Sequence, residues 1–145
     1  QELLQLTPPE ALLWNDIVDL EPLSTYTYKR VVLLGDAAHP MVPRGSNGAG
    51  QAILDARSLA DALIKNSNEL TALKAYEQAR LRPTSNVVLE NRRNPPDAIL
   101  REVYERTGDR PFRRIEEVIS VQELAALSDR YKQVAGYDRP TLDRT

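Results

Sequence analysis

The stretch from Arg30 to Gly50, RVVLLGDAAHPMVPRGSNGAG, restricts this chain more than any other. Val31 to Leu34 are four consecutive apolar residues, the first two β-branched, and they read as a short buried strand. The strand stops at Gly35-Asp36. A loop with Gly45, Gly48 and Gly50 then leads into an amphipathic helix expected from Asn47 to Ile64. Strand, Gly-Asp, Gly-rich loop and helix in this order bring backbone N–H groups and a helix N-terminus to an electron-rich ligand. Asp36 adds an acceptor for a ligand hydroxyl. The glycine spacing is G-x-x-G-x-G, which differs from the dinucleotide G-x-G-x-x-G. Gln51-Ala52 stands where a P-loop has Lys-Ser/Thr, which argues against a P-loop.

The flanking sequence is mostly helical in pattern. Thr7-Pro8-Pro9-Glu10 has capping-box spacing and predicts a short helix over Pro9 to Trp14. Asp16 to Leu20 reads as a strand, and Glu21 to Lys29 as a connection. The helix from Asn47 places Ala49, Ala52, Ile53, Ala56, Leu59, Ala60 and Leu63 on one broad apolar face. A second helix starts near Glu69, with Pro83 expected to kink or break it and helicity resuming to Arg93. A third runs from Asp97 to Arg106, with Ile99, Leu100 and Val103 inward and Gly108 as its C-cap. Ile115 to Ile119 reads as one helical turn. Ser120 to Glu123 is a capping box for a last helix, which ends at Gly136, and the tail from Asp138 is polar. The fold class expected is an α+β fragment, mostly α-helical: one or two short strands, a Gly-rich loop, then four to five helices. Leu33 and Leu34 call for neighbouring strands that this sequence barely supplies.

Length and composition narrow the function classes. The 145 residues suffice for one real core. A net charge of −2 gives no basic surplus for nucleic acid or an anionic membrane. No apolar run approaches the roughly 20 residues of a membrane helix. The chain has no cysteine and one histidine, so no metal site is expected, and a cytoplasmic location is the expectation. The first residue is Gln1, not Met, as expected of an excised piece.

Gly35-Asp36-Ala37-Ala38-His39, with Pro43, Gly45, Asn47-Gly48, Ala52-Ile53 and Asp55, resembles the second FAD-binding motif of the single-component (class A) flavoprotein aromatic hydroxylases. These include 4-hydroxybenzoate hydroxylase, salicylate hydroxylase and the phenazine monooxygenases. The similarity continues through Arg82-Pro83, Asn94-Pro95-Pro96, Arg106 to Asp109 and Gly136-Tyr137, most like the phenazine type. The resemblance implies that the chain is the C-terminal portion of an FAD/NAD(P)-binding fold. Residues 1–65 would complete the FAD-binding domain, with the Gly-Asp motif and flavin-side helix, and residues 66–145 would form a C-terminal helical region. It implies a parent enzyme that uses NAD(P)H and O₂ to oxygenate a small aromatic substrate through a flavin C4a-hydroperoxide. The partner would be the missing N-terminal FAD-binding and substrate portion of the same chain, and a homo-oligomer is left open.

The implied cofactor-binding residues are Gly35, Asp36, Pro43, Gly45, Asn47, Gly48 and Ala49. Asp36 would accept from a ribityl hydroxyl, and the Gly48 and Ala49 N–H groups would face the flavin N1 and C2 carbonyl. No catalytic side chain is assigned. His39 falls where the family uses it structurally, and no triad pattern surrounds it. Arg44 reads as a surface or partner charge, or a contact for an anionic substrate. Arg92-Arg93, Arg110 and Arg113-Arg114 read as solvated charges balanced by nearby acids. One departure is Leu20, which stands where many phenazine-type relatives carry an arginine. The rival readings are an FAD-dependent reductase or halogenase of the same fold, and a non-catalytic helical interaction domain whose glycines only turn the chain.

Overall fold

A computed structural model describes residues 5–45, 47–95 and 97–136. The polar tail expected from Asp138 and the Tyr137 of the resemblance lie outside them. The fold is mostly helical, with one two-stranded sheet. Strands β1 (Thr27–Tyr28) and β2 (Val31–Val32) pair antiparallel, with Thr27 opposite Val32 and Tyr28 opposite Val31. Lys29, at φ 58°, takes the left-handed conformation that closes the two-residue turn. The Leu33 N–H donates to the Tyr26 carbonyl at 2.9 Å and extends the pairing.

Helices α1 (Asn47–Lys65), α2 (Glu69–Arg93), α3 (Ala98–Thr107) and α4 (Val121–Ala135) follow. Asn68 caps α2 through its side chain, which accepts from the Thr71 N–H at 3.1 Å. The Ser120–Glu123 capping box forms at the start of α4. Gly108 and Gly136 end α3 and α4 in the left-handed conformation. Tyr26, Ala38, Ala62, Ala72 and Tyr76 form the core where the hairpin meets α1 and α2, with Leu23, Leu33, Leu34 and Leu59 around them. The Tyr26 hydroxyl bonds Thr84 Oγ1 at 2.6 Å, and the Tyr76 hydroxyl donates to the Leu33 carbonyl at 3.0 Å.

Several expectations fail for identifiable reasons. The strand expected over Asp16 to Leu20 is irregular chain, because nothing in the described residues pairs with it. Thr27–Tyr28 lies in the expected connection yet is a strand, held by Glu77 of α2. Glu77 Oε2 accepts from Thr25 Oγ1 and the Tyr26 N–H at 2.5 Å each, the Thr27 N–H at 2.7 Å and Thr27 Oγ1 at 2.9 Å. The turn near Pro9 is a single 3₁₀ turn, Pro9–Ala11, capped by Pro8 with no capping box. Pro83 does not break α2. Its ring is on the exposed side, and the following Thr84 and Ser85 hydroxyls bond carbonyls one turn back, Arg80 at 2.8 Å and Leu81 at 2.6 Å.

Helix α1 turns a polar face toward the core. Its buried side chains are Asn47, Gln51, Asp55 and Ala62. Of the broad apolar face read from the sequence, Ala49, Ile53, Ala56, Ala60 and Leu63 are exposed, Ile53 by 70%. Buried polar groups persist when each finds partners, and those of α1 do. Leu100 of α3, expected inward, is 69% exposed.

Candidate functional site

The site begins where β2 runs out. Gly35 turns the chain at φ 54° into a 3₁₀ turn, Gly35–Ala37. A Cβ at Gly35 would lie 3.2 Å from the Ala52 Cβ of α1, so both the φ and the close approach demand glycine. The Gly35 N–H donates to Asp55 Oδ2 at 3.0 Å. What Gly35 contributes is therefore the turn and its packing, with its N–H already committed.

Asp55 is fully buried and holds the turn from behind. His39 Nε2 donates to Oδ2 at 2.6 Å, and Arg80 Nε donates to Oδ1 at 2.7 Å. Burial alone would raise this carboxyl, but hydrogen bonds from His39, Arg80 and the Gly35 N–H outweigh it and hold it below the usual carboxylate range. His39 is itself 3% exposed. A ring so enclosed has no route to a substrate, so its role is to brace the turn. Arg80 continues the network to Gln51 Oε1 at 2.6 Å, and Gln51 Nε2 donates to the Ala135 carbonyl at 2.7 Å.

Asp36 faces the other way. It is exposed, and its carboxylate makes no hydrogen bond or ion pair among the described residues. Its Oδ1 lies 3.6 Å from where a Cβ on Gly48 would stand. A free carboxylate thus sits beside the first turn of α1, where the leading N–H groups have no partner within the helix. Gly48 is ordinary helix, and an added Cβ would meet only van der Waals contacts, with Asp36 and with Met41 Cγ at 4.0 Å. The chain's own packing does not require a glycine there.

Pro43 and Gly45 lie on a 3₁₀ turn, Pro43–Gly45, leading into α1. Pro43 and Arg44 are exposed, and Arg44 Nε and Nη2 donate to Asp97 Oδ2 at 3.0 and 2.8 Å. Asn47 opens α1 with its side chain turned inward. Its Nδ2 donates to the Tyr131 hydroxyl, which donates in turn to Asn91 Oδ1 at 2.5 Å. Ala49 is exposed. The structure therefore brings the Asp36 carboxylate to Gly48, with Ala49 exposed on the same first turn of α1. The Asn47 side chain and the Gly35 N–H belong to the packing behind it. Gln51, Arg80, Asn91 and Tyr131 were not singled out from the sequence. The signal available was the spacing of Asn47, Gln51 and Asp55, three polar residues four apart on one helix face.

A family profile described as FAD binding domain matches residues 18–91, half of the chain. The chain belongs to the FAD binding domain family. Phenazine 1,6-dicarboxylic acid hydroxylase of Lysobacter antibioticus is 53% identical over 76 residues, 52% of this chain and 19% of that protein. A 3-hydroxybenzoate 6-hydroxylase of Aquipseudomonas alcaligenes is 44% identical over 71 residues, 49% of this chain and 18% of that protein. A salicylate hydroxylase of Pseudomonas putida is 42% identical over 76 residues, 50% of this chain and 17% of that protein. The matched segments thus cover less than a fifth of these relatives. The resemblance to class A aromatic hydroxylases is borne out.

The segment around Leu20 is held by a helix residue. Arg92 of α2 donates to Asp19 Oδ2 at 2.7 Å, Glu21 Oε1 at 2.6 Å and the Leu20 carbonyl at 2.9 Å. A guanidinium from α2 therefore binds this segment, and Arg92 is, as expected, an exposed charge balanced by nearby acids. Among the described residues no helix is long and apolar enough to cross a membrane, and no acidic or histidine cluster is placed to hold a metal.

Proposed function

We propose that this chain is the flavin-side C-terminal portion of an FAD-dependent monooxygenase that uses NAD(P)H and O₂ to hydroxylate a small aromatic substrate. Residues 1–65 complete the FAD-binding domain and residues 66–145 form its helical backing. The remainder of the parent chain supplies the other half of the FAD site and the substrate surface. The observation that carries this reading is the unpartnered, exposed Asp36 carboxylate beside Gly48 at the start of α1.

These residues fit FAD. A ribityl chain offers hydroxyl donors, which a lone carboxylate accepts. The electron-rich edge of a flavin ring suits a helix N-terminus, whose partial charge is worth about 0.3–1 kcal/mol toward an anion, more when shielded from water. Gly48, free of any packing demand for glycine, leaves room for that edge to approach the backbone. Pro43 stiffens the turn that brings Gly45 to it. Bound FAD supplies electron transfer and O₂ activation, and the protein orients it and excludes water. In this reading Asp36 orients the ribityl chain, and the Gly48 and Ala49 N–H groups favour charge on the ring. The Gly35–His39–Asp55–Arg80 network fixes both without touching either.

The test is made on the full-length parent. It should purify with FAD and consume NAD(P)H faster when an aromatic acid is present. With ¹⁸O₂, the product should carry one labelled oxygen. A flavin-free protein would overturn the reading, and flavin reduction without labelled product would point to a reductase.

A further inference from the structure

Helix α4 lies far along the chain from the Gly-Asp turn, yet it meets the first two turns of α1 through two polar rungs. Tyr131 bonds Asn47, and four residues on, the Ala135 carbonyl accepts from Gln51 Nε2 at 2.7 Å. Asn47 and Gln51 are also four apart, so one face of α1 carries both rungs. The Tyr131 hydroxyl uses both its capacities. It accepts from Asn47 Nδ2 and donates to Asn91 Oδ1, and so ties the start of α1, the end of α2 and α4 at one oxygen. Asn47, Gln51 and Asn91 are 3%, 1% and 1% exposed and Tyr131 is half-buried, so breaking a bond here leaves a largely enclosed amide short of a partner. Asn47 adjoins Gly48 on the first turn of α1.

We propose that Tyr131 is a positioning residue for the flavin: through Asn47 it fixes the first turn of α1, and so the N–H groups that meet the ring. This rests on the proposed function above. Tyr131 touches no ligand itself, and α4 thereby takes part in the site.

The experiment uses the full-length parent with FAD. Tyr131→Phe keeps the ring and removes the hydroxyl. The loosened first turn must then be ordered when FAD binds, which predicts a roughly two- to tenfold rise in the Kd for FAD. It also predicts a lower flavin reduction potential and an altered visible spectrum of the bound flavin. Asn47→Ser should reproduce the spectrum and potential, and the double variant should differ little from either single one, since both remove the same bond. Tyr104→Phe on exposed α3 is the control. Wild-type spectrum and potential in Tyr131→Phe, or additive effects of the two changes, would overturn the proposal even if melting falls. If Tyr131→Phe does not fold, Asn47→Ser decides on the same readouts. A parent that binds no FAD would instead overturn the functional reading beneath it.

Discussion

Asp36 and Asp55 are two carboxylates of one motif in opposite surroundings. Asp36 is exposed and unpartnered among the described residues, whereas Asp55 is buried under three donors. Asp36→Ala in the parent should therefore leave melting unchanged and weaken FAD binding. A hydrogen bond to a charged acceptor is worth roughly 1.5–3 kcal/mol, or roughly ten- to 150-fold in Kd. Equilibrium titration with FAD checks this, and wild-type affinity would remove Asp36 from the site. Asp55→Ala should act on stability, since it strands Arg80 and His39, and breaking a buried pair costs about 3–5 kcal/mol. His39→Gln should show a smaller loss of the same kind in denaturant melts. Gly48→Val should do the reverse: it should crowd Asp36 and the ring edge, lowering flavin content while the helices melt normally. The Asp55 carboxyl also gives the fold an acid limit. Its folded pKa lies below its unfolded value of about 3.9, so its contribution is complete above that value and is lost as pH falls through the folded one. Urea midpoints should hold steady above about pH 5 and drop below about pH 4, and Asp55→Asn should flatten that drop.

Among the elements, the hairpin depends on α2 more than on its own strands. Two-residue strands have little intrinsic stability, and the four bonds into Glu77 Oε2 hold β1 in register. Burial would raise the Glu77 carboxyl, but the Thr25, Thr27 and Tyr26 donors hold it below its ordinary value. Glu77→Ala should cost about 2–3 kcal/mol and loosen the approach to Gly35, read as faster hydrogen exchange at Leu33. A stability change under 0.5 kcal/mol would show that the hairpin stands without it. This clasp marks a limit of the sequence. Local signals gave the helix starts and stops, because Asn68, Ser120, Gly108 and Gly136 act within a few residues. The Gly-Asp turn was legible for the same reason. Thr27–Tyr28 was not, because its cause lies 50 residues away in Glu77. The buried polar face of α1 was not legible because apolar period is the usual guide to burial, and here Asn47, Gln51 and Asp55 are inward, each partnered by a distant residue. Tyr131 and Arg80 were hidden by the same long range.

At the scale of the whole molecule, two regions among the described residues expose several large apolar side chains each. One is the irregular segment before the hairpin, where Leu13, Trp14, Ile17 and Val18 are 85%, 94%, 65% and 70% exposed. The other is the outer stripe of α1, with Ile53 at 70% and Ile64 at 83%. Large apolar side chains left this exposed mark an interface or an aggregation liability when they form a patch. The strand-like composition of Ile17 and Val18 suits pairing with a sheet, and the alanines of α1 suit close packing. Both regions fit the remainder of the parent chain, which on the proposed function also holds the other half of the FAD site. The isolated 145-residue chain should then bind FAD at least 100-fold more weakly than the parent, since Asp36 and the α1 N-terminus meet only part of the cofactor. It should also enhance the fluorescence of an apolar dye and self-associate as its concentration rises, whereas the full-length parent should do neither. Flavin fluorescence titration, dye binding and sedimentation on both proteins test this together. Tight stoichiometric FAD binding by the short chain would show that the cofactor site is complete within it. A dye-silent monomer would show that the two apolar regions cover each other in solution.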